Sequence, residues 1–493
     1  MASTATGKGA ALVAFVASGT GPAVRSALEK MRDSENVLDY SAVADDTFDC
    51  STAFANARVA ANLKGHRRVY VPGAANNYRL VSTFDIDTSG VRFYGDGQYA
   101  TKIRSESSGA AVSINTGLSG VVICDMQITR TSGTASSGKD GIKFNTLTEQ
   151  ARVENVLLSR HWIGLSLCAT SYSHVKDVIA RDNYSHGVQV ANNASYAGLQ
   201  WSMTHVLSQT NDGYGLYFTT AAGVSGASVG DIRSFFTYAN KLGGVKFAGT
   251  STSPINAIRW YGGFVGEDGS HGIELDTYNA SNHKIDGLFA EIAGTSACGV
   301  DMSTAATNVG RGISVTANNG WVDLIGCAVV GNSYDGINIS ASRYMIVACD
   351  VRLNGAANAA GHKTGIRCVA GEGMVVGCVS KGHPAFGVFT DVDTVSVVGN
   401  DVRENTVGGY ASIGAITNSV VVGNMGSTVN NINGPLSRDG VQLIAQRDTG
   451  WTAMTGTANE STAYATGSVT LVQLAERVKA LQDALTAHGL IGA

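Results

Sequence analysis

The stretch Trp321–Ser340, WVDLIGCAVVGNSYDGINIS, decides the fold, because its first half returns four more times further along the chain. The echoes are IVACDVRLNG, MVVGCVSKG, VSVVGNDVREN and SVVVGNMGS, and they set Cys327, Cys349, Cys378, Asn400 and Asn424 at equivalent places, 22, 29, 22 and 24 residues apart. A period of that length is one coil of a β-solenoid. A strand of four or five residues cannot bury its face alone. Stacked about 4.8 Å from a copy of itself, it shares hydrogen bonds above and below and continues one long core. Equivalent residues of successive coils then touch, so Cys can fill an interior column and Asn can pair along a ladder. The five repeated residues are expected in one such column.

A second pattern lies in another strand, where glycine is followed by an apolar, an outward and another apolar residue. Examples are Gly141-Ile142-Lys143-Phe144, Gly187-Val188-Gln189-Val190, Gly244-Val245-Lys246-Phe247, Gly272-Ile273-Glu274-Leu275 and Gly336-Ile337-Asn338-Ile339. The alternation puts every second side chain inside. Together the two patterns predict an all-β chain, a single-stranded parallel β-helix over residues 36–435, with its regular part running from about Val37 to Asn430.

Composition agrees. Sixty-one glycines against five prolines, with only 15% charged residues, is the balance of many short strands and tight turns. A net charge of -4 without a basic block gives no reason to expect nucleic acid, and no apolar run is long enough to cross a membrane. AALVAFVA at residues 10–17 is short for a signal-peptide core and has one charge upstream, Lys8, so secretion is not expected. The eight cysteines show neither C-x-x-C pairs nor a histidine at ligand spacing. Free thiols assembled in a reducing cytoplasm are expected, with no metal and no cofactor.

At the start of the solenoid, VLDYSAVADDTFDCSTAFANARVAANL at 37–63 reads as a short strand, a polar turn and an Ala-rich helix beginning near Asp49, with Phe54, Ala57 and Leu63 for its apolar face. Such a helix can plug the open end of a solenoid, which would otherwise present an unpaired strand edge. Here the chain resembles a known family. VLDYSAVADDTFDCSTAF, RRVYVPGAANNYRLVSTFDI and VRFYGDGQYATKI, in order over roughly the first 100 residues, resemble the opening of pectate-lyase-like right-handed parallel β-helices of the phage tailspike branch. FVASGTGPAVRSALEKMRD at 15–33 resembles the neck that joins such spikes to a virion. Ala44, Asp46, Thr47 and Cys50 depart from the family's more glycine-rich turn. The resemblance implies a trimeric appendage of a virion, assembled in the host bacterial cytoplasm, that binds and in some members degrades a bacterial surface glycan. It also implies contact with other virion proteins through residues 1–35, where Val24, Leu28 and Met31 form an apolar stripe at steps of four and three.

The C-terminus points to oligomerisation independently. Leu471, Leu474, Val478, Leu481 and Leu485 alternate steps of three and four, the seam of a coiled coil, within a segment 468–493 too short to be stable as a lone helix. Partner helices are expected, and cyclic closure makes a parallel homotrimer compatible with three solenoids side by side. Residues 436–467, rich in Gly, Thr, Ala and Ser, are a linker or a small β-annex.

For chemistry the sequence offers only acids displayed from neighbouring coils. Glu267 and Glu291 stand in matching places of GGFVGEDGSHGIELD and DGLFAEIAGTSACGVDM, and Glu274 and Asp301 match again. Adjacent coils would hold such carboxylates roughly 5 Å apart at the backbone, and repulsion between them would separate their pKa values into an acid and a base. Glu267/Glu291 is the first candidate catalytic pair and Glu274/Asp301 the second. Asp268 is expected to tune the first, and Trp260 and Tyr261 to offer a sugar platform. Cross-coil pairing of Lys246 with Glu274 is the plain structural alternative, as coil-corner packing is for Trp162, Trp201, Trp260 and Trp321. His186 and His271, each directly before a repeat glycine, suit turn hydrogen bonds better than catalysis. Three functions fit: a tailspike that binds or cuts a bacterial polysaccharide, a non-enzymatic virion spike or capsid decoration of the same fold, and a cellular polysaccharide lyase or hydrolase.

Overall fold

The computed structural model describes residues 33–426 except 146–147, 169, 192–198, 221–227, 251, 253, 256, 278–282, 287–288, 292–309, 356–362, 393 and 413–419, together with 14–16, 24–26, 436–438, 441–444, 457–458 and 469–487. From Glu35 to Met425 the chain winds into a right-handed parallel β-helix in which each strand bonds to its equivalent on the coil before and the coil after. One coil illustrates the rest. Gly243–Ala248 forms a first face, in register with Tyr214–Thr219 before it and Ile273–Asp276 after it. Ile258–Gly266 then bends at Gly262 and Gly263 to make a second and a third face, pairing with Ser228–Tyr238 on one side and with His283–Asp286 and Phe289–Glu291 on the other.

The opening repeat is a corner. Gly326, Ala348, Gly377, Gly399 and Gly423 all have φ between 53° and 67°, the left-handed region that turns the chain from the second face to the third. The residue that follows is thrown inward, and all five, Cys327, Cys349, Cys378, Asn400 and Asn424, are buried in one column. Its polar end is a ladder: the Asn424 Oδ1 accepts both the backbone N–H of Asn400 (2.9 Å) and its Nδ2–H (2.9 Å), and the Asn400 Oδ1 accepts the N–H of Cys378 (2.8 Å). The amide hydrogen bonds of the turn are thus satisfied from the next coil, as a buried corner requires.

A second interior column stands at the corner between the third face and the first. Among the described residues it contains His161, Asn183, Asn211, Asn240, Asp268, Asn332, Asn354, His383 and Asn405. Each is preceded by a residue of positive φ, such as Asp182, Thr210, Ala239, Glu267 and Leu353. The repeat glycines follow from this column. A Cβ on Gly215 would lie 2.9 Å from the Asn240 Nδ2 and 2.8 Å from the Gly244 carbonyl oxygen, so the ladder side chain of the next coil occupies the space a larger residue needs.

The remaining core is aliphatic and aromatic, with the inward residues of all three faces fully buried in one continuous cluster. Each such Val, Ile or Leu contributes about 1.5–3 kcal/mol relative to exposure. The N-terminal plug is the helix Ser51–Leu63, whose first turn is held by Asp49: its Oδ1 accepts the Ser51 N–H (3.0 Å) and hydroxyl (2.6 Å). Phe54 seals the barrel end, edge-on to Tyr78 and Phe84 at 5.9 Å and to Phe93 at 6.1 Å. Phe54 and Ala57 face the core as expected, but Leu63 does not. It is 84% exposed at the helix end, and Ala53 and Ala61 complete the buried stripe, because small residues let the helix lie close on the first coil. In the preceding turn, Asp46 takes φ 66° and Asp45 Oδ1 accepts the N–H groups of Thr47 (2.8 Å) and Phe48 (2.7 Å), so acids make this turn without glycine.

Val24 belongs to a strand, Val24–Ser26, paired antiparallel with Ala14–Val16, and not to a stripe at helical steps; Leu28 and Met31 lie outside the described residues. Leu436–Arg438 and Val441–Ile444 form an antiparallel pair after the solenoid. The last element is the helix Leu471–Ala487. Its Ala480 and Gln482 are buried, whereas Leu471, Leu474, Val478 and Leu481 of the heptad seam are exposed.

Candidate functional site

The tertiary structure separates the residues that the sequence brought together. Glu267 occupies the left-handed corner position with φ 52°, and the strand register sets Glu291 opposite Gly266, one residue earlier. The two glutamates are therefore not equivalent points of adjacent coils. Glu274 pairs with Lys246 on the coil before and with Ser314 on the coil after, so its neighbour in register is a serine rather than Asp301, which lies outside the described residues.

Asp268 and Trp260 are interior. The Asp268 carboxylate takes its place in the Asn ladder: Oδ1 accepts the Asn240 N–H (2.8 Å) and Nδ2–H (2.9 Å), and Oδ2 accepts the Thr237 hydroxyl (2.7 Å). Burial pushes its pKa up to about 7 despite these donors. Trp260 points into the core, edge-on to Phe235 at 5.8 Å, with its Nε1–H given to the Gly262 carbonyl (2.6 Å), and so offers no sugar platform. The alternation explains this, since Trp260 shares the inward register of Ile232. Tyr261 faces outward, and the Arg233 guanidinium lies 5.5 Å above its ring.

Two outward surfaces gather aromatic and charged side chains. The first is on the second face, where Trp321, Arg343 and Glu372 stand in register on three successive coils. They line a groove of about 570 Å³ with Tyr344, Met345, Gly373, Met374 and Thr394. The Trp321 ring is fixed by an Nε1–H bond to Asp323 Oδ1 (2.7 Å) and remains 44% exposed. Gly373 makes room for the Tyr344 ring beneath the groove, because a Cβ there would strike that ring at 2.2 Å. Arg343 and Glu372 approach to 3.9 Å, and both are well exposed. An oriented indole beside an acid and a guanidinium can stack on the C–H face of a sugar ring and bond its hydroxyls. Sequence reasoning placed Trp321 in the opening repeat without distinguishing it from corner packing; its outward position between Gly320 and the inward Val322 is the signal that could have found it.

The second surface is on the first face. Tyr214 and Tyr217 are stacked at 5.5 Å, His186 lies 4.5 Å from Tyr217, and Lys246 pairs with Glu274 at 3.1 Å. On the following coils come Arg311 with Asp335 (3.7 Å) and Arg367 with Asp391 (3.0 Å). Asp276 lies two residues beyond Glu274 on the same outward side and accepts the Thr316 hydroxyl at 2.9 Å. Partial burial distinguishes these charges from a solvated surface. Burial lowers the Lys246 ammonium, but Glu274 and Tyr214 outweigh it and leave its pKa raised. Burial raises the Tyr214 phenol and lowers Arg311, which Asp335 opposes. Behind them His186 is held down to about 4 and His271 to about 3, chiefly by burial, and each accepts a backbone N–H at Nδ1, from Tyr214 (3.0 Å) and Arg311 (3.3 Å). That is the turn hydrogen bonding the sequence pointed to. Among the described residues no group of His, Cys, Asp and Glu is arranged to hold a metal ion.

No protein-family model matches the chain, and no curated protein matches it in sequence. Solved structures do. The A-module of the Azotobacter vinelandii mannuronan C-5 epimerase AlgE6 aligns over 79% of this chain and 98% of its own, at 17% identity and a TM-score of 0.57. The AlgE4 A-module from the same organism aligns over 79% and 100%, at 16% identity and a TM-score of 0.56. Tailspike protein 3 of bacteriophage CBA120 aligns over 93% of this chain and 70% of its own, at 11% identity and a TM-score of 0.48. What the chain shares with the epimerase modules is its fold, the right-handed parallel β-helix.

Proposed function

We propose that this protein is a homotrimeric virion spike that binds a bacterial surface polysaccharide along the flank of its β-helix. The observation that carries the glycan reading is the groove at Trp321, where an exposed, hydrogen-bonded indole stands in register with Arg343 and Glu372. The virion reading is supported by the N-terminal resemblance to tailspikes, with residues 1–35 as the attachment to other virion proteins. The trimer reading is supported by the solvent-facing seam of the C-terminal helix, whose heptad spacing suits identical partner helices. Capsule or lipopolysaccharide from the host should bind the full chain, and Trp321→Ala should weaken binding at least tenfold, roughly the loss of one aromatic anchor. Unchanged affinity in that variant would overturn the groove as the glycan site. Light scattering should give three chains per particle, and deletion of 468–493 should lower the native mass or the thermal resistance.

Depolymerisation of the bound chain is the second reading, favoured by the half-buried Glu274, with Asp276 on the same outward side and stacked tyrosines two coils before it. Hydrolysis needs one protonated and one ionised carboxyl group across the scissile bond. Release of reducing ends from host glycan tests it. Glu274→Gln or Asp276→Gln should reduce turnover on the order of 10²–10⁴-fold with binding retained. Glu267→Gln and Glu291→Gln test the first sequence-derived pair in the same assay. Binding without any release of ends by the parent protein would leave a spike that recognises without cutting.

A further inference from the structure

Outward positions of a solenoid strand are ordinarily polar, since they meet water. On the third face this rule is broken in one column. Leu157, Ile179, Leu207, Phe236 and Phe264 stand in unbroken register on five successive coils, with Phe289 continuing the register on the sixth. Leu157 is covered by the chain itself, Ile179 and Leu207 are half-buried, and Phe236 is 40% exposed. The column is bounded by polar residues in the same register, Gln127 before it and Asp350 after Ala328.

We infer that this stripe is the surface on which the solenoids of two further copies of this chain pack. The inference rests on the trimer reading above and assigns it a face. Two features of the molecule select a second copy as the occupant. The seam of the C-terminal helix calls for identical helices in parallel, and a parallel cyclic assembly turns the same face of every solenoid toward the common axis. On the coils that carry the stripe the other two faces present charge outward, Lys246 and Glu274 on the first and Asp231 with Arg233 on the second, whereas the stripe presents apolar side chains that a like stripe can cover. The outward charges of the third face lie mostly at its two ends, Lys102 and Arg104 ahead of the stripe and Asp350 with Arg352 and Asp401 with Lys381 after it.

The test compares the parent protein with Leu207→Glu/Phe236→Glu. Both positions point outward, so the variant should keep the circular dichroism of the parent while its trimer dissociates at concentrations at least about tenfold higher. A second measurement does not depend on tolerating the charges: Phe236→Cys should give chains joined to one another by a short bis-maleimide, well beyond any linkage of the parent in the same reaction. A parent protein that is monomeric overturns the trimer reading and the stripe together. A trimeric parent whose assembly is unmoved by the double substitution, or a Phe236→Cys protein that yields no linked chains, overturns the stripe alone and leaves the trimer standing.

Discussion

Asn211 and Asn240 lie one coil apart, and each engages the other twice: the Asn240 Oδ1 accepts the Asn211 Nδ2–H at 2.8 Å and its backbone N–H at 3.2 Å. The same bond passes from Asn183 to Asn211, also at 2.8 Å, so a buried corner with no access to water has its donors satisfied by the coil that follows. The ladder runs in one direction and reaches Asp268, whose side chain accepts from Asn240 but, once ionised, has no N–H of its own to give.

Asp268→Asn should therefore stabilise the fold, most at high pH. The carboxyl is raised to about 7 by burial, so the stability it contributes is fully present below its ordinary value near 4 and is lost as pH rises through about 7. An amide abolishes that loss and supplies a donor at the place where Asn240 gives its Nδ2–H to the Ser208 carbonyl. Urea unfolding at pH 5 and pH 8 should show a gain on the order of 2 kcal/mol at the higher pH and little at the lower. Equal gains at both would show that the carboxyl is not titrating inside.

Gly215→Ala should cost about 1–3 kcal/mol, a value typical of overpacking, because its methyl group would press on Asn240, Thr237 and the Gly244 carbonyl together. Gly97→Ala carries strain from its φ of 130° but meets nothing within 4 Å, and separates backbone strain from collision. Thermal midpoints of the two variants check the difference.

Stability should fall as pH drops below about 6.5, the ordinary histidine value. His383 is held down to about 4 and His161 to about 3 by burial, so the unfolded chain takes up these protons first and each histidine subtracts up to about 1.4 kcal/mol per pH unit until its folded value is reached. His383→Asn keeps the ladder type of its neighbours Asn354 and Asn405 and should flatten the slope between pH 6.5 and 4. An unchanged slope would move the acid sensitivity to other groups.

The stacked thiols should be silent until the protein unfolds. Cys349 sits between Cys327 and Cys378, and the Cys327 thiol together with burial raises its pKa against the opposing Cys378, while burial takes Cys368 up to about 12. Thiolate is the reactive form. Iodoacetamide at pH 8 should leave Cys327, Cys349, Cys368 and Cys378 unmodified in the native protein, and their labelling rate should follow global unfolding in denaturant.

The sequence by itself determined the coil, its period and the column at Cys327 to Asn424, because stacking makes equivalent residues touch and so repeats them. It also carried the second column in plain view, as Asn, Asp or His four residues ahead of a repeat glycine: Asn211 before Gly215, Asp268 before Gly272, His383 before Gly387. Read as a ladder, that spacing would have removed Asp268 from any surface site. Only the tertiary structure decided which side chains face water together. A residue's side depends on the two-residue alternation counted from the last left-handed corner, and coils of unequal length shift that count. Hence Glu291 meets Gly266 and not Glu267, and Trp260 lies inside while Trp321 lies out. The outward apolar column from Leu157 to Phe264 belongs to the same class: its members lie 22 to 29 residues apart, and only the register of parallel strands makes them neighbours.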